Sequence, residues 1–173
     1  MKKAVIIIAI IILLLTTQKK EELIIPQEAI RFRVIANSNI KEDQNLKKKI
    51  TTNIYNEFKK LDFKPKDLNQ ARDNIKNQIP KLENIIAKTL EEENQPQEYN
   101  INYGLNYFPE KQYRGIIYPE GEYESLVITL GDGLGENFWC VLFPPLCLLE
   151  ADKTETSDVK YTSFIKEVIE KYF

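Results

Sequence analysis

Twelve apolar residues run unbroken from Ala4 to Leu15 behind Lys2 and Lys3, and only after them do apolar positions become periodic. From Ala29 to Asn37, Ile30, Phe32, Val34 and Ala36 alternate with Arg31, Arg33, Ile35 and Asn37. Period two with β-branched and aromatic residues predicts a half-buried strand. Leu46, Ile50, Ile54, Phe58 and Leu61 then recur at steps of four and three, which predicts an amphipathic helix. Ser38 or Asn39 is its expected N-cap, with Glu42 and Asp43 in the first turn, where the helix dipole favours negative charge. A turn around Pro65 leads to Asp67, a second cap, and Leu68, Ala71, Ile75, Ile79, Leu82, Ile86 and Leu90 predict a second helix. Pro80 lies inside it, lacks a backbone donor, and is expected to kink or divide it.

From Tyr99 the period returns to two. Tyr99, Ile101, Tyr103, Leu105 and Tyr107 mark an aromatic-rich strand, and Glu122 to Leu130 a further alternating one. Pro109, Gly115, Pro119 and Gly121 punctuate the stretch between them into turns and short strands. Trp139 to Phe143 is apolar at every position, which predicts a central or covered strand. Val159, Phe164, Ile165, Val168 and Ile169 predict a closing C-terminal helix. An N-terminal strand, two amphipathic helices, a mainly antiparallel sheet and a final helix make an α+β fold.

The N-terminal run has the basic start and the length of a secretory signal. As a helix it would span about 18 Å, against about 30 Å of bilayer hydrocarbon. Residues 1–17 are therefore read as a signal peptide or short membrane anchor, 18–28 as a mixed-charge tether, and 29–173 as one exported domain. With 43% hydrophobic and 29% charged residues in 173, one ordinary core is expected. The net charge of −2, falling to −4 without Lys2 and Lys3, argues against nucleic acid as a partner and leaves only the N-terminal segment to meet a membrane. Histidine is absent, which removes histidine-based triads, most zinc sites and the commonest general base. No metal or cofactor is expected, and no catalytic residue is assigned.

Several local patterns have two readings. Gly131-Asp132-Gly133-Leu134-Gly135 has the outline of a phosphate loop, but its third glycine is not at the spacing of the dinucleotide fingerprint, and the lysine and hydroxyl of the P-loop are missing. Asp132, Glu136 and Asn137 are too few for a calcium loop, so a flexible turn between strands is expected. Cys140 and Cys147 lack a base to form a catalytic thiolate. A disulfide between them and two free buried thiols both fit an exported chain. Seven extended residues would hold them about 23 Å apart, so a bridge requires reversal near Pro144-Pro145. Glu120, Glu122 and Glu124 share one strand parity and read as a solvated face rather than a catalytic pair. The stretch from Phe138 to Leu149 holds the single Trp and both cysteines. Aromatic residues beside a rigid Pro-Pro corner can anchor a partner, or can simply be a core strand with its exit turn.

One set of motifs goes further. It comprises Gly131-x-Gly133-x-Gly135-x-Asn137-Phe138-Trp139-Cys140-Val141-Leu142-Phe143-Pro144-Pro145-Leu146-Cys147, Arg31-Phe32-Arg33-Val34-Ile35-Ala36-Asn37-Ser38, Glu42-Asp43-Gln44 with Leu46-Lys47, and Tyr118-Pro119-x-Gly121-x-Tyr123-x-x-Leu126. Across roughly residues 29 to 150 these resemble the stage II sporulation protein R family, secreted signalling proteins of endospore-forming bacteria. The chain departs in detail, with Phe138 where a second Trp is usual and with Leu134 and Glu136 in place of more usual basic or polar residues. The resemblance implies a ligand rather than an enzyme. Such a protein is exported from the forespore into the septal intermembrane space, where it triggers a membrane-embedded aspartic protease that leads to pro-sequence removal from a mother-cell sigma factor. Asn137, Phe138, Trp139, Phe143, Pro144 and Pro145 are then expected to form or support the receptor-facing surface. The alternative is an exported wall- or polysaccharide-binding module with Tyr103, Tyr107, Tyr113 and Trp139 as an aromatic platform.

Overall fold

A computed structural model describes residues 23–61, 63–146 and 158–173. In chain order the elements are β1 (Leu23–Ile24), β2 (Ile30–Ile35), α1 (Lys41–Lys60), α2 (Leu68–Glu92), β3 (Tyr99–Phe108), β4 (Lys111–Tyr113), β5 (Ile116–Tyr118), β6 (Gly121–Leu130), β7 (Asn137–Phe143) and α3 (Asp158–Tyr172). This is the α+β order read from the sequence. The expected signal segment, Cys147 and the end of the apolar block lie outside the described residues. Among those described, no helix is long and apolar enough to cross a membrane.

The main sheet has the order β3-β6-β2-β7. Its outer pairs, β3 with β6 and β2 with β7, are antiparallel, while the central strands β2 and β6 run parallel. A parallel pair needs a long crossover, and α1, α2 and β3 lie within the connection. Ile30, Phe32 and Val34 of β2 and Leu126, Ile128 and Leu130 of β6 face the helices. They meet Leu46, Ile50, Ile54 and Phe58 of α1 and Ala71, Ile75, Leu82, Ile86 and Leu90 of α2. Leu61, expected on this stripe, is exposed instead.

β2 is not the half-buried strand its alternation suggested. It is central, and all its residues but Arg33 are buried, Arg31 included. The second face is covered in large part by Phe108, Tyr123 and Trp139, so of the polar parity Arg31 is buried and Arg33 stays partly exposed. A smaller sheet of order β1-β5-β4 and helix α3 join β7 through Ile25, Ala29, Ile116, Val141, Leu146, Ile165 and Val168. Leu23 and Ile24 pair with β5, so the ordered fold reaches back into the stretch read as tether. The apolar Leu23-Ile24-Ile25 run explains this, because Ile25 is buried beneath the small sheet.

α2 continues undivided through Pro80, which sits on its exposed side. Buried Ala71 and Ile75 precede the proline, and buried Leu82, Ile86 and Leu90 follow it. A buried aliphatic side chain contributes about 1.5–3 kcal/mol, so these together outweigh the ~3 kcal/mol that an interior proline costs. Asp67 caps α2 as expected, its carboxylate accepting from Gln70 N–H at 2.8 Å. α1 starts one residue later than predicted, with Ile40 rather than Ser38 or Asn39 at the N-cap and no side-chain cap there.

Glu124 does not belong to a solvated face. Its carboxylate accepts from Arg72 Nε at 3.0 and 2.9 Å and from the Tyr103 hydroxyl at 2.7 Å, tying β6 to α2 and β3. Burial alone would raise its pKa, but these hydrogen bonds and the Arg72 charge outweigh burial and hold it below the ordinary carboxylate value of 4.5. Burial, followed by the hydrogen bond to Glu124, pushes the Tyr103 phenol upward. A depressed carboxylate contributes stability above its unfolded pKa and loses it as pH falls through the folded value. Glu124→Gln should therefore be less stable than wild type at neutral pH, with the gap closing below about pH 4.5. Urea midpoints measured across that pH range check this.

Candidate functional site

The Gly131–Gly135 loop joins β6 to β7 as predicted, but it is pinned rather than flexible. Leu134 N–H donates to Asn37 O and Gly135 N–H to Ala36 O, each at 2.9 Å. Asp132 N–H donates to Asn37 Oδ1 at 2.9 Å and Glu136 N–H to Asn39 Oδ1 at 2.7 Å. Below them, Asp43 accepts from Ser38 Oγ at 2.6 Å and Asn37 Nδ2 at 2.9 Å. Lys47 Nζ closes the arrangement on Glu136 O at 2.7 Å. Residues that sequence reading treated as a helix cap, a first helical turn and a glycine turn thus form a single interlocked corner. Its tightness explains the glycines: a Cβ on Gly133 would lie 2.6 Å from Thr129 Cγ2, and one on Gly135 2.8 Å from Ala36 Cβ. Asp43→Ala should strand two hydroxyl and amide donors at a buried position and cost about 2 kcal/mol, read as a lowered urea midpoint with an unchanged slope.

This corner fixes the start of β7 and aims its side chains. Trp139 lies on the face away from the helices, opposite Arg33 in the β2 register. There Ile35, Phe108, Tyr123 and Val127 form a small buried cluster with Trp139 packed against it. The Arg31 guanidinium lies 3.3 Å from the Tyr123 ring centroid, and its Nη2 donates to Pro119 O at 3.0 Å. Arg33 stands 5.2 Å from the Trp139 ring and 5.5 Å from Phe108, while Lys111, carried in by β4, is 5.9 Å from Trp139. Burial lowers the pKa of both arginines, with Tyr123 and Tyr118 partly restoring that of Arg31. Arg31 and Arg33 were missed as site residues because their parity read as solvent-facing. The available signal was aromatic: Phe108, Tyr123 and Trp139 are the rings that a buried cation needs when no carboxylate is near.

The six residues expected at the receptor surface do not share one environment. Trp139 and Asn137 are half-buried on the outer face. Phe138 points to the helix side, edge-on to Phe32 with ring centroids 6.1 Å apart. Phe143 is fully buried against Tyr172 and Phe173 of the C-terminal segment, and Pro144 and Pro145 are buried beside it. Phe143, Pro144 and Pro145 are therefore placed to support a surface and not to touch a partner. Cys140 is disulfide-bonded, and Cys147, the chain's other cysteine, lies outside the described residues. The aromatic platform of the wall-binding alternative is not assembled. Tyr103 faces the helices, with its hydroxyl on Glu124, whereas Trp139 faces the other way. A polar cavity of about 330 Å³ at the α1–α2 turn is lined by amides, Lys64 and Phe63, with no pair of acid and base groups.

The stage II sporulation protein R family model matches residues 26–153, which include the whole corner and the outer face. The chain belongs to the stage II sporulation protein R family. Stage II sporulation protein R of Bacillus subtilis (strain 168) is 39% identical over 133 residues, covering 77% of this chain and 59% of that protein. The chain thus spans about three fifths of the length of the curated relative it matches. No solved structure matches. Membership of the stage II sporulation protein R family gives the chain a role in sporulation and is consistent with a protein that is not an enzyme.

Proposed function

We propose that this protein is the exported signal by which the forespore triggers a membrane-embedded aspartic protease facing the mother cell. The protease then permits removal of the pro-sequence from a mother-cell sigma factor. The observation that carries the reading is family membership across residues 26–153, with the interlocked corner built from the motifs that carry the resemblance. Two further features support it. A basic start followed by an apolar run suits export into the septal space, where the protein would be free or loosely tethered. The Trp139 face offers an aromatic and cationic surface of the kind that protein partners engage.

The test is co-expression of the full chain with the protease and the sigma-factor precursor in a host without sporulation genes. The precursor should shorten on immunoblots only when the chain is present. An unshortened precursor with all three proteins verified would reject the signalling reading.

A further inference from the structure

Among the described residues, three buried side-chain polar atoms lack a hydrogen-bond partner: Arg31 Nε, Arg33 Nε and Asn137 Oδ1. All three belong to neighbouring positions on the outer face of β2 and β7, where Arg31 is paired with Val141, Arg33 with Trp139 and Ile35 with Asn137. A buried donor without a partner costs free energy, and Arg31 and Arg33 each leave one on this face, which therefore carries positive charge that its own described residues leave uncompensated. The charges agree. Arg31 is only 2% exposed, yet it contacts rings and a carbonyl rather than a carboxylate. Among the described residues Arg33 makes one long hydrogen bond, to Tyr107 O at 3.5 Å, and no ion pair, and Lys111 contributes an exposed ammonium over the same indole. Among the described residues no carboxylate hydrogen-bonds to any of these three cations, although the chain as a whole is acidic at −2.

We infer that this face docks an acidic segment of the protein partner, with a carboxylate between Arg33 and Lys111 and an apolar side chain against Trp139. The inference rests on the signalling reading and names the chemistry of its partner. A guanidinium beside an ammonium suits a carboxylate, and the indole supplies the apolar contact that a peptide can fill. Polyanions fit less well. Three cations against a net negative chain give short-range complementarity to a small acidic segment, without the long-range attraction that an anionic membrane or wall polymer would exploit.

The experiment measures binding of the full chain to the detergent-solubilised protease, with Lys111→Glu, Arg33→Gln and Arg33→Lys as variants and thermal melts to establish folding. Lys111 is exposed, so its reversal tests the face without disturbing packing. Wild-type affinity should fall about tenfold between about 50 and about 500 mM NaCl. Lys111→Glu and Arg33→Gln should each weaken binding about tenfold at low salt, and Arg33→Lys should recover part of the loss. Anionic phosphatidylglycerol vesicles and purified wall sacculi serve as controls and should bind neither wild type nor variants. Folded Lys111→Glu with wild-type affinity would overturn the inference. Charge-sensitive binding confined to vesicles or sacculi would overturn it as well, in favour of a polyanion. If wild-type chain shortens the precursor while Lys111→Glu and Arg33→Gln do so equally, this face is not the docking site and the signalling reading stands. If wild-type chain does neither, both fall together.

Discussion

Phe143→Ala is expected to cost about 3–5 kcal/mol and to leave little folded protein, whereas Trp139→Ala, four residues earlier in the same strand, should fold and fail at its task. Both residues belong to the block expected to form or support the receptor-facing surface. Phe143 is 1% exposed and lies between Tyr172 and Phe173, with ring centroids 5.3 and 5.7 Å away. Truncating it empties a site where β7 and the C-terminal helix meet, and a well-packed core closes over such a void only in part. Trp139 is half-buried and leans on Phe108 at 5.3 Å, so its loss uncovers surface more than it creates a cavity. A stability cost of about 1–2 kcal/mol is expected there, within the 5–15 kcal/mol of an ordinary domain. Urea unfolding of the two variants, with precursor shortening scored alongside, separates the roles. Equal destabilisation of the two would show Trp139 to be core.

Gly135→Ala should cost about 3 kcal/mol, although it adds a single methyl group. The new Cβ would press into the Ser38 carbonyl, inside van der Waals contact, with Ala36 Cβ close on another side. The carbonyl cannot simply retreat, because it accepts from Gln44 Nε2 at 2.8 Å, and the backbone on either side is held by the Gly135–Ala36 hydrogen bond. Relief requires breaking the corner that aims β7. Gly131→Ala adds a second penalty, since its φ of +53° lies in the left-handed region that disfavours a Cβ. Both variants should lower the urea midpoint, and Leu134→Ala, at the exposed tip between the glycines, should not.

The sequence was legible wherever burial on one face dictates a period. Leu46, Ile50, Ile54 and Phe58 read as a core stripe and are one, and the same holds for Ala71, Ile75, Leu82 and Ile86. It was less legible where two faces are covered. Arg31 and Arg33 carry the parity of a solvent face, yet they lie over Tyr123, Phe108 and Trp139, and periodicity has no term for a cation stacked on rings. Pro80 does not divide α2, because local propensity is weaker than the summed burial on either side of it. The glycine loop misled differently. Gly131, Gly133 and Gly135 signal freedom when read alone, but here they permit close approach to Asn37, Thr129 and Ser38, contacts made across a separation of up to 97 residues that no local pattern reveals. The family motifs mark that corner from both ends, which is why the resemblance reached the family and composition did not.

The proposed signalling requires the chain to act from outside the cell that makes it. The direct measurement is precursor shortening in the co-expression host with two forms compared at equal abundance, the full chain and one lacking residues 1–17. Shortening with the full chain and none with the leaderless form is the predicted result. Equal shortening with both, or shortening with the leaderless form alone, would contradict signalling from outside the producing cell.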